Sequence, residues 1–143
     1  MEEMVFGTEP SRIFINIGTN DIGSAEYRLE ALLERYEEIL SRIRERLPQA
    51  EINMMAYYPV NEVDKVCDKE WARDAFFTRT NRNIAIANAA VEKLAVEKGC
   101  RFIDANEGLT DGNGRLKKEF TVEGIHMYAN GYQVVLDNLK KYL

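Results

Sequence analysis

Apolar positions along this chain alternate between short continuous runs and long stripes at helical spacing. The first run, Ile13-Phe14-Ile15-Asn16-Ile17, stops abruptly at Gly18-Thr19-Asn20-Asp21. Strand-forming residues that give way to a glycine and small polar residues predict a buried strand with a polar loop at its carboxyl end. In open α/β sheets ligands bind at that end. From Ser24 to Leu47 the apolar residues Leu29, Leu32, Leu33, Tyr36, Ile39, Leu40, Ile43 and Leu47 recur at spacings of three and four, which predicts one amphipathic helix. Ser24 is its expected N-cap, Glu26 suits the positive end of the dipole, Glu38 and Arg42 form an i,i+4 pair, and Pro48 ends it.

Glu51–Val60, centred on Ile52–Tyr58, predicts a second strand, Met-rich and closed by Pro59. Thr78–Lys98 predicts a helix with Ile84, Ala87, Val91 and Leu94 on one face and Gly99 at its C′ position. Cys100–Ala105 reads as a short buried strand, and Asn130–Leu143 as a final helix with Tyr132, Val135, Leu136 and Leu139 facing inward. Between them Asp111-Gly112-Asn113-Gly114 reads as a tight turn, and its downstream carboxylate spacing excludes a calcium loop. Asn61–Phe77 is irregular: its Trp71, Phe76 and Phe77 either pack on the sheet or form a lid over the strand ends. At the start, Met4, Val5 and Phe6 read as the last turn of a helix stopped by Gly7, the tail of something that precedes them.

Strands alternating with helices predict an α/β domain spanning residues 1–143, with a parallel sheet and right-handed crossovers. Three strands leave at least one sheet edge open, a liability unless another strand covers it.

Composition narrows the function classes. Hydrophobic residues make up 45% and charged residues 30%, as in a globular protein rather than a disordered one. No apolar run approaches the ~20 residues that span a bilayer. Met1–Glu3 is acidic with no apolar stretch after it, so no signal peptide is read here and the cytoplasm is the default address. The net charge of −5 argues against a nucleic-acid partner. Cys67 and Cys100 stand outside any ligand motif and read as reduced structural thiols, and a single histidine excludes a multi-histidine metal site.

Two polar loops carry candidate chemistry. In the first, Gly18 lets the backbone turn sharply, Asn20 offers an amide N–H pair to a developing oxyanion, and Asp21 caps or braces the loop. The plain alternative is an ordinary strand–helix turn. In the second, Glu123-Gly124-Ile125-His126, a carboxylate three residues before an imidazole can hold Nδ1–H and present Nε2 as a general base. Taken alone, such a pair is more often a surface pair. Both loops follow strands of a parallel sheet and should share one rim.

Ile17-Gly18-Thr19-Asn20-Asp21 after an apolar strand, and Glu123-x-x-His126 followed by Gly131-Tyr132 and a closing helix, resemble the SGNH (GDSL-type) hydrolase family. The similarity runs through Arg101–Asp104, the Asp111-Gly112 turn and Gly124-Ile125-His126-Met127, and covers essentially the whole chain in order. It implies a three-layer, flavodoxin-like parallel sheet of five strands, of which this chain matches the C-terminal three-fifths and is incomplete on its N-terminal side. By position it implies that Asn20 is an oxyanion-hole side chain within the Gly18, Thr19 and Asp21 loop, that His126 is the triad base, and that Glu123 is its acid where Asp is usual. The implied reaction is serine ester hydrolysis through an acyl-enzyme, without cofactor or metal, on a small acyl ester such as an O-acetyl carbohydrate or an acylated lipid.

The resemblance lacks one block. The family's nucleophilic serine follows its first strand in a Gly-Asp-Ser context, whereas Ser11 precedes a strand, Ser24 starts a helix and Ser41 lies inside one. The family's second oxyanion glycine has no match either. The expectation is therefore a parent serine esterase whose base, acid and one oxyanion donor lie in this chain, which alone has little or no activity. The alternative is a non-catalytic α/β binding or interaction module, completed by an N-terminal segment, another chain or a homodimer.

Overall fold

The structure, a computed structural model, describes residues 6–62 and 70–143. Strands β1 (Arg12–Ile15), β2 (Glu51–Met55) and β3 (Arg101–Ile103) form one sheet in the order β1-β2-β3, parallel throughout. Ile13 stands opposite Ile52 and Met54 opposite Phe102. Between the strands run α1 (Thr19–Ile22), α2 (Leu29–Arg46), α3 (Glu70–Ala75) and α4 (Asn81–Glu97), and α5 (Ala129–Leu139) closes the chain with a 3₁₀ turn at Lys140–Tyr142. Both crossovers step in the same direction across the sheet, and connections of one hand then put their helices on one face.

The core divides accordingly. Leu32, Tyr36, Leu40 and Ile43 of α2 and Ile84, Ala87, Val91 and Leu94 of α4 close over Ile52 and Met54. On the opposite face Val135 of α5 joins Leu109, Leu116 and Met127 over Met55 and Ile103. Helix, sheet and helix make the three layers expected of this fold class. As the middle strand, β2 is covered on both faces: Ile52, Met54 and Met55 are all buried, and so is the polar Asn53 between them. Each fully buried aliphatic side chain contributes ~1.5–3 kcal/mol. The flanking strands are only half-buried, and among the described residues β1 is paired on one side alone.

Several local expectations hold. The helix expected over Thr78–Lys98 runs from Asn81 to Glu97 as α4, and Thr80, which the sequence reading did not single out, caps it, its hydroxyl accepting from Asn83 N–H at 3.1 Å. Gly99 follows that helix at φ +63°. The Asp111 carboxylate accepts from the N–H groups of Asn113 at 2.8 Å and Arg115 at 3.0 Å, tightening the predicted turn. Arg42 and Glu38 pair at 2.6 Å. Glu70–Ala75 is helical, whereas Cys67 lies outside the described residues, as do Met4 and Val5.

Three expectations are corrected. The long helix begins at Leu29, not Ser24: the Ser24 hydroxyl accepts from Glu26 N–H at 3.2 Å and Tyr27 N–H donates to Ser24 O at 3.0 Å, so the serine caps a turn. The second strand ends at Met55 rather than Val60, because the chain beyond it bonds to side chains. Tyr57 N–H donates to Asn88 Oδ1 at 2.7 Å, and Val60 N–H to Asn81 Oδ1 at 2.9 Å. The final helix keeps Val135 and Leu139 of the expected face inward but not Tyr132 and Leu136. Gly131 and Val135 are buried, while Tyr132 and Leu136 are about half-exposed. A Cβ on Gly131 would stand 3.1 Å from Phe120 and 3.2 Å from Met127, so the helix approaches on its glycine and leaves the larger residues outside.

Leu40→Ala is expected to destabilise the protein by ~2–5 kcal/mol in urea unfolding. Leu136→Ala is expected to stay within ~0.5 kcal/mol. Equal losses at the two positions would contradict the orientation of α5.

Candidate active site

The first loop is set by a close approach that only glycine allows. Gly18 has φ +94°, and a Cβ there would lie 2.4 Å from Leu32 and 2.9 Å from the Tyr57 hydroxyl. That hydroxyl donates to Ile17 O at 2.7 Å, and burial pushes its pKa upward. The backbone then coils into α1, with Ile22 N–H donating to Gly18 O at 3.2 Å and Ile22 fully buried beneath. Thr19 and Asn20 stay exposed on the outer side of this single turn. Asp21 neither caps α1 nor accepts a backbone N–H with its carboxylate; the guanidinium of Arg35 pairs with it.

Asn20 has one side-chain partner of consequence. Arg79, at the entrance to α4, donates from Nη2 to Asn20 Oδ1 at 3.3 Å. Arg79 is buried with 7% exposure. Desolvation lowers its pKa from the ordinary guanidinium value, and the charge of Glu123 acts in the opposite sense. The same cation therefore touches the first loop and feels the carboxylate of the second.

The second loop is wired within itself. Thr121, buried at 1% exposure, donates its hydroxyl to His126 O at 2.9 Å and accepts from Gly124 N–H at 2.8 Å. Val122 N–H also donates to His126 O at 2.9 Å. Glu123 Oε1 accepts from His126 N–H at 2.9 Å and contacts His126 Nδ1 closely. A carboxylate in its ionised form can only accept, and in a neutral imidazole paired with it the hydrogen sits on Nδ1 and leaves Nε2 as the acceptor. The longer side chain of glutamate is accommodated because its carboxylate folds back over its own turn. Glu123 is 4% exposed and the imidazole 62%, so the carboxylate is sealed and the imidazole faces outward.

The turn is tied to the segment that follows β2: Asn61 N–H donates to Gly124 O at 2.8 Å. Gly124 has φ +93°, and a Cβ there would sit 2.5 Å from Asn61 O and 2.8 Å from Phe76. Trp71 of α3 lies beside the imidazole, ring centroids 5.8 Å apart and tilted by 58°. Trp71 is half-exposed and Phe77 still more so.

The two predicted loops thus meet around Arg79, at the carboxyl ends of the strands. Reading the sequence did not single out Arg79, Thr121 or the contact of Trp71 with His126. An arginine before a helix cap carries no distinguishing pattern, and Thr121 could be read as a turn residue only. Among the described residues no group of three or more His, Cys, Asp or Glu could hold a metal ion. No described helix is long and apolar enough to cross a membrane. Cys100 is a free thiol whose pKa burial pushes upward.

Comparison with known proteins gives a consistent picture. A family model described as the GDSL-like Lipase/Acylhydrolase family matches residues 3–134. A solved structure from Streptococcus pneumonia described as a platelet activating factor is 34% identical with a TM-score of 0.80, over 92% of this chain and 59% of that one. The isoamyl acetate-hydrolyzing esterase of Saccharomyces cerevisiae is 32% identical over 65 residues, 46% of this chain and 27% of that protein. The N-acylneuraminate cytidylyltransferase of Escherichia coli is 27% identical over 124 residues, 86% of this chain and 26% of that protein. The chain therefore spans about a quarter of the length of these two curated relatives.

Trp71 and His126 are the single tryptophan and single histidine of the chain. With their rings in contact, His126→Ala is expected to change the tryptophan emission intensity at fixed pH by removing the imidazole beside the indole. An emission spectrum identical to that of the unmodified protein would contradict the contact.

Proposed function

The chain belongs to the GDSL-like lipase/acylhydrolase family, and from that premise we propose that it carries the acid, the base and one oxyanion donor of a serine ester hydrolase. The observation that supports this most is the Glu123–His126 pair, a sealed carboxylate holding Nδ1 of an outward-facing imidazole. In this reading His126 Nε2 takes the proton of a serine hydroxyl as it attacks the ester carbonyl, then returns it to the departing alcohol. Glu123 fixes the tautomer and stabilises the imidazolium. Asn20 Nδ2 donates to the oxyanion of the tetrahedral intermediate, with Gly18, Thr19 and Asp21 holding its turn.

The chain's own serines do not suit the nucleophile's part. Ser11 stands at the amino end of β1, away from the rim, Ser41 is exposed on α2, and Ser24 is engaged in its turn. The reading therefore assigns the nucleophile to a residue supplied from elsewhere, and this chain alone is expected to be a weak esterase or none. The substrate class is a small acyl ester of an alcohol or carbohydrate, consistent with an acetate ester being the substrate named for the yeast relative.

In the protein encoded by the complete gene, His126→Ala is expected to lower kcat for p-nitrophenyl acetate by roughly 10²–10⁴-fold. Glu123→Gln, which disturbs the tautomer, is expected to be impaired by a comparable factor. Equal rates for the unmodified protein and His126→Ala would sink the role of the base.

A second reading concerns the sheet. Ile13, Phe14 and Ile15 are only half-buried on a strand paired on one side among the described residues, which favours completion of the sheet by a further strand, including one from a second copy. Light scattering of the 143-residue chain is then expected to give a mass above the monomer. A monomer that unfolds cooperatively would contradict it.

A further inference from the structure

The Arg79 guanidinium sits where the two loops meet, and its donor chemistry decides which end of Asn20 faces outward. We propose that Arg79 is the positioning residue of the oxyanion donor: it holds Asn20 by its carbonyl oxygen, so that Nδ2 is the end presented to the substrate. The proposal rests on the acyl-transfer reading of the site.

The argument starts from the amide itself. An asparagine side chain has an acceptor end and a donor end of nearly equal size, and on an exposed turn it can rotate. A guanidinium has five donors and no acceptor. Arg79 Nη2 lies 3.3 Å from Oδ1, so the contact is favourable in one orientation of the amide only. The opposite orientation would set two donors against each other. With Oδ1 engaged, Nδ2 is the group left to donate to a developing negative charge, and a cation on the carbonyl side polarises the amide in the useful direction.

The surroundings hold the cation in place. Gly23, immediately after α1, leaves the space it occupies: a Cβ there would come within 2.4 Å of Nη2 and 2.8 Å of Nε. Arg79 N–H is anchored to Ala75 O at 2.8 Å, and Arg79 Nε is buried without a hydrogen-bond partner. A buried charge with an unsatisfied donor is costly, and the Glu123 carboxylate offsets part of that cost. The arrangement fixes Asn20 through a residue at the entrance to α4, some sixty positions along the chain.

Gly23→Ala supplies a clean perturbation. Gly23 has φ −87°, which alanine adopts without strain, so the added methyl displaces the guanidinium rather than the backbone. In the protein encoded by the complete gene, Gly23→Ala and Arg79→Lys are each expected to lower kcat for p-nitrophenyl acetate about tenfold or more, with KM within about twofold, since removing an oxyanion donor outright costs ~10²–10³-fold. In an Asn20→Ala background both are expected to change kcat by less than about twofold, because the group they position is gone. Losses of the same size with and without Asn20 would overturn the proposal. A second readout does not depend on turnover. In ¹⁵N spectra of the 143-residue chain, the Asn20 side-chain amide signals are expected to shift in Gly23→Ala and Arg79→Lys; unchanged signals would overturn it too. Should His126→Ala and Asn20→Ala leave kcat intact, the acyl-transfer reading fails, and the amide spectra still decide whether Arg79 orients Asn20.

Discussion

Residues Tyr57 to Asn61 leave the sheet but remain largely buried, and their backbone polar groups have to be met inside the protein. Two asparagines of α4 do most of this. Asn88 brackets the N–H and C=O of Tyr57, and Asn81 brackets those of Val60. Asn106 adds a second donor to Tyr57 O at 2.9 Å. The segment so fixed is the post from which both polar loops hang. At one end the Tyr57 hydroxyl grips Ile17 O below Gly18; at the other, Asn61 N–H grips Gly124 O beside His126. The relative placement of the two halves of the site depends on side-chain amides standing in for a missing strand partner.

The electrostatic pattern follows from the same economy. The rim holds one sealed anion, Glu123, and one sealed cation, Arg79, whereas Asn20 and His126 stay exposed. Charges that would be weak in water act strongly when buried, and they do so here through neutral or titratable groups at the surface. Arg79 acts on an amide and Glu123 on an imidazole.

The alternation of strands and helices could be read from periodicity because burial imposes it: α2 and α4 each show one face to the sheet, and β2 shows two. The Gly18–Asp21 and Glu123–His126 loops could be read because glycine and short polar residues interrupt apolar runs at those points. What could not be read depends on contacts between distant segments. Nothing near Tyr57 announces that Asn88 will take its N–H. Tyr132 and Leu136 have the composition of an inner face, but Gly131 lets α5 approach Phe120 and Met127 closely and so rotates them outward. Ser24 has the type of a helix cap yet serves a turn, since the backbone after α1 needed one more reversal before α2. Arg79 is typical of a solvated residue and is instead buried, because Gly23 makes room for it.

The turn from Thr121 to His126 has a consequence of its own. Its internal hydrogen bonds fix how the imidazole is wired, while its backbone link to the segment after β2, from Asn61 to Gly124 O, governs where that imidazole is aimed. Wiring and aim are therefore separable under mutation. Substitutions on the Asn61 side can swing the imidazole without undoing its pairing with Glu123. The direction in which this side chain points is then free to drift at one anchoring bond, while the pairing itself is inherited intact.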